Sequence, residues 1–413
     1  MTSRSLAVAL GMLGLLIPLA GLAAQENSQR RYTVTDLGTF PGSKFSAGYG
    51  INNAGWVTGC SDLASNGDLR PFIWYGIGPL IELPTLGGPV GCADGPNAFG
   101  EAAVIANTSK PAFRNENFCG GVSGPHIQCL AAAWKDGRLT ALPTLPGGHN
   151  SQTYWLNNLG QVVGFSENGT ADPTCATGTP YQVLRFEGVI WGPDGKIQEL
   201  RPLEGDTTGW AWGINDHGQA VGSSGLCSNT SVVGPVGPAA PHAVLWDSDG
   251  SPTDLGHLEG VAPGVYNVAT SINERGEVVG FAEASDGTQH GFLWTREKGM
   301  QDIGGFPGAV NGTGAPCCNT INNNGEIVGF SIDANFNDRA LIFLDKKAVD
   351  LNNFIPADSP LYLTASESLN DSGQITGTAI VKSSCPVTTP PAWLTNQSAC
   401  SQVHAFLATP THP

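Results

Sequence analysis

Charge is scarce in this 413-residue chain, and cations are scarcest: 13% of residues are charged, with 19 Lys and Arg against 35 Asp and Glu. So few charges exclude disorder driven by charge repulsion, and with 40% apolar residues a core of normal size can be buried. Without clustered Lys and Arg a nucleic-acid partner is disfavoured, because phosphate neutralisation needs them. The ten cysteines include no C-x-x-C pair, so metal ligation of that type is not indicated. No H-E-x-x-H, G-x-S-x-G, Walker lysine loop or Rossmann glycine pattern occurs, and no catalytic, cofactor-binding or metal-binding residue is assigned. Long apolar runs are missing except for Leu6 to Leu19.

That run follows Arg4 and precedes the small residues Gly21, Ala23 and Ala24, the pattern of a cleavable secretory signal over residues 1–24. A retained membrane anchor is the alternative. Cleavage removes Arg4 and no acid, making the formal charge of −16 one unit more negative. An exported chain with an even number of cysteines predicts disulfides and a secreted, extracellular or periplasmic location.

What the chain has in abundance is glycine and proline, 56 and 29 residues, which argues against a helical bundle. They fall in a repeat. Asn52, Asn97, Asn157, Asn215, Asn273, Asn322 and Asn370 are each followed three residues later by glycine, at Gly55, Gly100, Gly160, Gly218, Gly276, Gly325 and Gly373. Asn at the first position of a type I turn can cap its own backbone, and Gly at the fourth supplies the left-handed residue that returns a hairpin. A Val-rich strand ending in Gly follows, as in Val162-Val163-Gly164 and Val278-Val279-Gly280. Between these turns a second hairpin recurs: a strand ending at Trp74, Trp134, Trp191, Trp246 or Trp294 leads through turns such as Asp136-Gly137 into Leu-Gly or Leu-Pro.

Each unit of roughly 45 to 60 residues thus holds about four short strands, the content of a propeller blade. Seven units predict an all-β, seven-bladed β-propeller of four-stranded antiparallel blades filling residues 25–413 as one domain. The chain starts on the second strand of a unit, Tyr32 to Leu37, and ends on the first, His404 to Leu407, so its two ends would complete one blade and close the ring.

The phrases resemble those of the exported HAF-repeat family, named for His-Ala-Phe. The triplet stands at His404-Ala405-Phe406, with relaxed forms at His242-Ala243-Val244 and His290-Gly291-Phe292; the Asp-Leu-Gly entry stands at Asp36 and Asp254. The resemblance implies an extracellular repeat protein and carries over no functional residues.

With strands alternating in direction, tight Asp-Gly and Asn-x-x-Gly turns share one face of the disc, and the long segments from Ala106, Ser166, Gly225 and Thr378 share the other. All ten cysteines are expected on that second face, with Cys60, Cys119, Cys129, Cys175, Cys227, Cys385 and Cys400 in inter-blade links and Cys92, Cys317 and Cys318 in the second connection of a unit. Expected bridges are Cys119 to Cys129 and Cys385 to Cys400, each bracketing one loop, then Cys60 to Cys92 and Cys175 to Cys227 between adjacent blades. Cys317 and Cys318 could bridge each other or pair elsewhere, and spacing alone does not decide connectivity.

Insertions in repeat folds collect on one, often binding, face. The expected function is an extracellular binding module for carbohydrate, peptide or protein, with Phe113, Phe118, Tyr181 and Trp393 as candidate stacking residues; the competing expectation is that such aromatics pack beneath their own loops. Two alternatives stand beside it: a polysaccharide hydrolase or lyase, which needs two carboxylates or a metal across the channel, and a structural surface protein without ligand. The acids look scattered, and Glu277 and Glu326 alternate with Gln161, Gln219 and Gln374 at one repeat position, the mark of an ordinary surface site. No cofactor is expected; Asp333 to Asp338 resembles the start of a calcium loop but lacks its central glycine and closing glutamate, which excludes a full EF-hand site and leaves a looser surface calcium site as the alternative to a solvated turn.

Overall fold

A computed structural model describes residues 31–411 apart from 117, 119–125, 174, 176–181, 228–239, 262–265 and 315–318. The signal segment, Cys119, Tyr181, Cys317 and Cys318 lie outside the described residues.

The chain folds into seven four-stranded antiparallel sheets arranged as a ring, a seven-bladed β-propeller. The innermost strands are Ser46–Ile51, Gly87–Asp94, Ser151–Leu156, Thr208–Ile214, Asn267–Ile272, Ala309–Gly314 and Leu361–Leu369, which open blades 1 to 7. Each leads through its Asn-x-x-Gly turn into the second strand, and the third and fourth follow outward. In every turn the glycine N–H donates to the Asn carbonyl, at 2.9 Å in blade 1 and 3.0 Å in blade 7, and the glycine has positive φ.

Blade 7 is completed by the N-terminus: Tyr32–Gly38 pairs with Val403–Pro410 in the register Asp36 to Phe406. The expected closure is therefore present, but the blade boundary falls two strands later than the sequence phrasing suggested. The terminal strands are the third and fourth of their blade, because the strand before the Asn turn, not the strand ending in Trp, lies next to the axis. The same shift corrects the cysteine placement. Cys175, Cys227, Cys385 and Cys400 lie in connections between second and third strands, not in inter-blade links, while Cys60, Cys92 and Cys129 lie within strands.

The apolar core is divided among the seams between blades, each seam with its own buried cluster. Phe72 and Ile51 of blade 1 meet Leu407 of blade 7, and Trp191 of blade 3 meets Ala103 of blade 2. The repeated Trp spans such seams: the indole Nε1 of Trp191 donates to Pro143 at 2.7 Å and that of Trp246 to Arg201 at 2.8 Å, each in the preceding inter-blade link.

The glycine that ends the second-strand phrase is a packing requirement. A Cβ at Gly164, Gly222 or Gly280 would collide with the carbonyl oxygen of Gln152, Trp210 or Val268 on the innermost strand, where that strand bulges. Blade 2 carries Val104 instead, and its innermost strand runs without a bulge at that point.

The His-Ala-Phe and Asp-Leu-Gly phrases meet across the outer hairpin. His404 Nδ1 lies 2.8 Å from Asp36, His290 Nδ1 2.8 Å from Asp302, and His242 Nδ1 3.4 Å from Asp254. Arg70 with Glu82 and Arg339 with Asp350 fill the same place in blades 1 and 6. Blade 3 breaks the rule with two acids, Glu187 and Glu199.

Candidate functional site

The seven turn asparagines form a closed ring around the axis. Each side-chain Nδ2 donates to the main-chain carbonyl of the next ring asparagine: Asn52 to Asn97 at 2.9 Å, Asn97 to Asn157 at 3.3 Å, and so on through Asn215, Asn273, Asn322 and Asn370, which returns to Asn52 at 2.9 Å. Each Oδ1 meanwhile accepts the N–H groups two and four residues on, as Asn157 does from Leu159 and Gln161. In blades 2 to 7 the second Nδ2 hydrogen goes to the side chain four residues on, Glu101, Gln161, Gln219, Glu277, Glu326 or Gln374; in blade 1 that place is held by Trp56. The position read as an ordinary surface site is therefore part of the ring. Gln and Glu interchange there because the ring itself uses only an oxygen; the Nε2 of Gln219 and of Gln374 donates away from the ring, to Asp247 and Thr409.

Above the ring, the next residues link in the same sense. Ala98 N–H donates to Asn158, Asn158 N–H to Asp216, Asp216 N–H to Glu274, Glu274 N–H to Asn323, Asn323 N–H to Asp371 and Asp371 N–H to Asn53. These two layers, with the aliphatic residues before each ring asparagine, line a cavity of ≈ 120 Å³ that reaches down to Asn319.

Deeper on the axis sit the residues three before each ring asparagine: Tyr49, Asp94, Tyr154, Trp212, Thr270, Asn319 and Glu367. In blades 1, 3, 4, 5 and 7 they are the bulge residues. Tyr49, Tyr154 and Glu367 are enclosed by protein yet keep part of their surface open. Tyr154 stacks on Trp212 with centroids 4.6 Å apart. Burial, then the Glu367 charge, hold the Asp94 carboxyl well above the usual carboxylate range; burial, then Asp338, push Glu367 up to about 7. Burial and these two acids also raise the Tyr49 phenol, and burial and Asp94 raise that of Tyr154. The buried Asp94 carboxyl of blade 2 thus feels the charge of Glu367 of blade 7, although the acids look scattered along the sequence.

The opposite face carries the long connections. Cys60 bridges Cys92 between blades 1 and 2, Cys175 bridges Cys227 between blades 3 and 4, and Cys385 bridges Cys400 within one connection of blade 7. Cys129 is also disulfide-bonded; its expected partner Cys119 lies outside the described residues. Beneath these connections two acids are buried together. Glu116 accepts from Val183 and Leu184 N–H, while Glu167 accepts from Asn150 N–H and Gln182 Nε2. Burial, then Glu167, push Glu116 up to about 8.

Of the candidate stacking residues, Phe118 is only 2% exposed and packs on Phe165 and Phe186, so it presents no face to a ligand. Phe113 is half-buried and stacks on His149 at 3.9 Å, and Trp393 is half-buried with the Lys382 ammonium 5.8 Å from its ring centroid. The Asp333 carboxylate accepts from Asn335 and Asn337 N–H and from the Asn337 side chain, which closes its own turn.

The fold and axis together define a closed seven-bladed β-propeller. No protein-family model matches the chain, and no curated protein matches it. Among solved structures it is similar to a puromycin hydrolase, with 12% identity, a TM-score of 0.50 and coverage of 82% of this chain and 51% of that one. It is also similar to a streptogramin B lyase, with 12% identity, a TM-score of 0.50 and coverage of 92% and 98%. The chain spans about half the length of the puromycin hydrolase. At such identities the likeness is one of fold.

Proposed function

We propose that this chain is an exported HAF-repeat protein that works as an extracellular binding module, recognising carbohydrate, peptide or protein through its disulfide-braced face. The observation that carries this reading is the asymmetry of the disc. One face is built from tight turns tied into hydrogen-bonded rings, and the other carries the long connections braced by Cys175 to Cys227 and Cys385 to Cys400. Bridged loops keep a shape before they meet a partner, which lowers the ordering cost of binding.

The test is retention on immobilised polysaccharides and peptides by the protein and by its Cys385→Ser/Cys400→Ser variant. Retention that weakens in the variant while the melting profile stays cooperative supports the reading; retention of nothing, or equal retention by both, contradicts it.

A second reading, a hydrolase or lyase acting on an extracellular polymer, is favoured by the charge of Glu367 acting on the buried Asp94 carboxyl. Product analysis on any retained polymer separates the two, with loss of turnover in Glu367→Gln as the mark of the enzyme.

A further inference from the structure

Blades 1 to 3 interrupt the polar character of the face built from tight turns. Among the described residues, four large apolar side chains stand exposed in the hairpin turns of that face, and all four belong to these blades: Tyr75 (41%), Ile77 (85%), Phe99 (74%) and Leu159 (58%). In blades 4 to 7 the residue two after the ring asparagine is His217, Arg275, Asn324 or Ser372, where blades 2 and 3 have Phe99 and Leu159. Contacts run from one blade to the next. Trp56 meets Tyr75 edge-on with ring centroids 5.0 Å apart, and a Cβ on Gly100, next to Phe99, would stand 3.0 Å from the Trp56 ring. Phe99, Leu159 and Pro193 then line one open hollow of ≈ 400 Å³ between blades 2 and 3. A contiguous apolar patch with charge confined to its rim has the anatomy of a protein interface.

Charge around the patch selects the partner. The hairpin turns of blades 1 to 3 hold three acids, Glu101, Asp136 and Asp194, and three cations, Lys135, Arg138 and Lys196, so they are neutral in a chain of formal charge −16. Both signs are interspersed there, with Lys135 paired to Glu101 and Lys196 to Asp194. A basic partner would find no excess of acid in this quadrant, and an anionic surface no excess of cation. A copy of the same chain meets both signs and the least repulsion, which is what a self-complementary contact between like-charged molecules requires.

We propose that two copies of this chain pair across this patch, turn face to turn face, about a two-fold axis. Ile77, Phe99 and Leu159 of each copy lose water against the other. The turns that carry Phe99 and Leu159 are already fixed by hydrogen bonds from Gly100 to Asn97 and from Gly160 to Asn157, so little ordering opposes the contact. Pairing in this way turns both disulfide-braced faces outward and makes the dimer bivalent for a repeated ligand. The contact itself stands whether or not those faces bind.

The test is sedimentation equilibrium of the purified protein from low to high micromolar concentration, beside Phe99→Asp, Leu159→Asp and, on the opposite face, Val387→Asp. The expected result is a rise from monomer to dimer mass. Phe99→Asp and Leu159→Asp should each raise the dimer dissociation constant at least about tenfold, and Val387→Asp should leave it unchanged. All three side chains are exposed, and a melting profile matched to that of the parent verifies that each variant folds. If a variant does not fold, the mass of the parent still decides. Monomer mass at every concentration overturns the proposal, as does a dimer that Phe99→Asp and Leu159→Asp leave intact. A protein that stays monomeric and floats with phosphatidylcholine vesicles, but no longer does so as Phe99→Asp, assigns the patch to lipid and overturns the pairing too. Monomer mass with polymer retention intact overturns the pairing alone; a dimer that retains no polymer overturns the binding-module reading alone.

Discussion

The side-chain amide of Asn370 donates to the main-chain carbonyl of Asn52 across 2.9 Å, although 318 residues separate them. This bond is the last link of the asparagine ring and crosses the seam where the chain's ends meet. Asn370 is 2% exposed and all four of its side-chain hydrogen-bonding positions are used. Asn370→Ala should therefore cost about 1–3 kcal/mol, from orphaned buried groups as much as from lost bonds. Urea unfolding measures it, and Asn157→Ala at a seam far from the termini should cost a similar amount.

The ring above it is incomplete at one place. Ala98 occupies a position that is Asn, Asp or Glu in the other six blades and offers no side-chain acceptor to blade 1. Ala98→Asn should supply it and stabilise the protein by about 0.5–1 kcal/mol, the worth of an ordinary hydrogen bond. A urea midpoint that does not rise in this variant would contradict a stabilising role for the second ring.

Stability should fall as pH rises through neutrality. Burial and Glu167 push Glu116 up to about 8; burial and Glu199 push Glu187 up to about 8. Both have ordinary values of 4.5 in an unfolded chain. Between those limits the folded protein holds protons that the unfolded chain has released, so stability is full below the lower value and is lost on approaching the upper one. Melting temperature should accordingly be higher at pH 5 than at pH 8. Glu116→Gln, which keeps an oxygen for Val183 and Leu184, should flatten that slope.

Removing residues 31–38 takes away the outer strand of blade 7 and exposes the edge of Val403–Pro410. Tyr32, 1% exposed, and Leu37 leave the clusters that join blade 7 to blades 6 and 1. A large drop in melting temperature is expected in calorimetry. An unchanged midpoint would mean that the ring does not depend on its terminal strand.

Blade number and closure were legible because the Asn-x-x-Gly turn carries a fixed chemical demand: a capping side chain at its start and a left-handed residue at its end. The bridges Cys60 to Cys92, Cys175 to Cys227 and Cys385 to Cys400 were also within reach, since bracketing one loop or sitting in adjacent blades limits the choice. Blade phase was not legible. Both hairpins show turn chemistry, and only packing tells that Ile51 or Ile214 borders the axis while Trp74 or Trp246 lies farther out. The axial residues were hidden for a different reason. Tyr49, Asp94, Tyr154, Trp212, Thr270, Asn319 and Glu367 share a place and no chemistry, so no motif marks them; counting back three from each ring asparagine finds all seven. Glu116 and Glu167 escaped notice because their meeting depends on how two long connections fold over blades 2 and 3.

The most direct measurement of the central claim is the melting temperature of the purified protein against a panel of polysaccharides and peptides, each with calcium and with chelator. A ligand that prefers the native state adds about 2.7 kcal/mol at a hundredfold excess over its dissociation constant, enough to raise the midpoint measurably. The binding-module account predicts a reproducible, saturable rise with one ligand class. No rise with any member of the panel would contradict it and leave the ring as a structural surface protein.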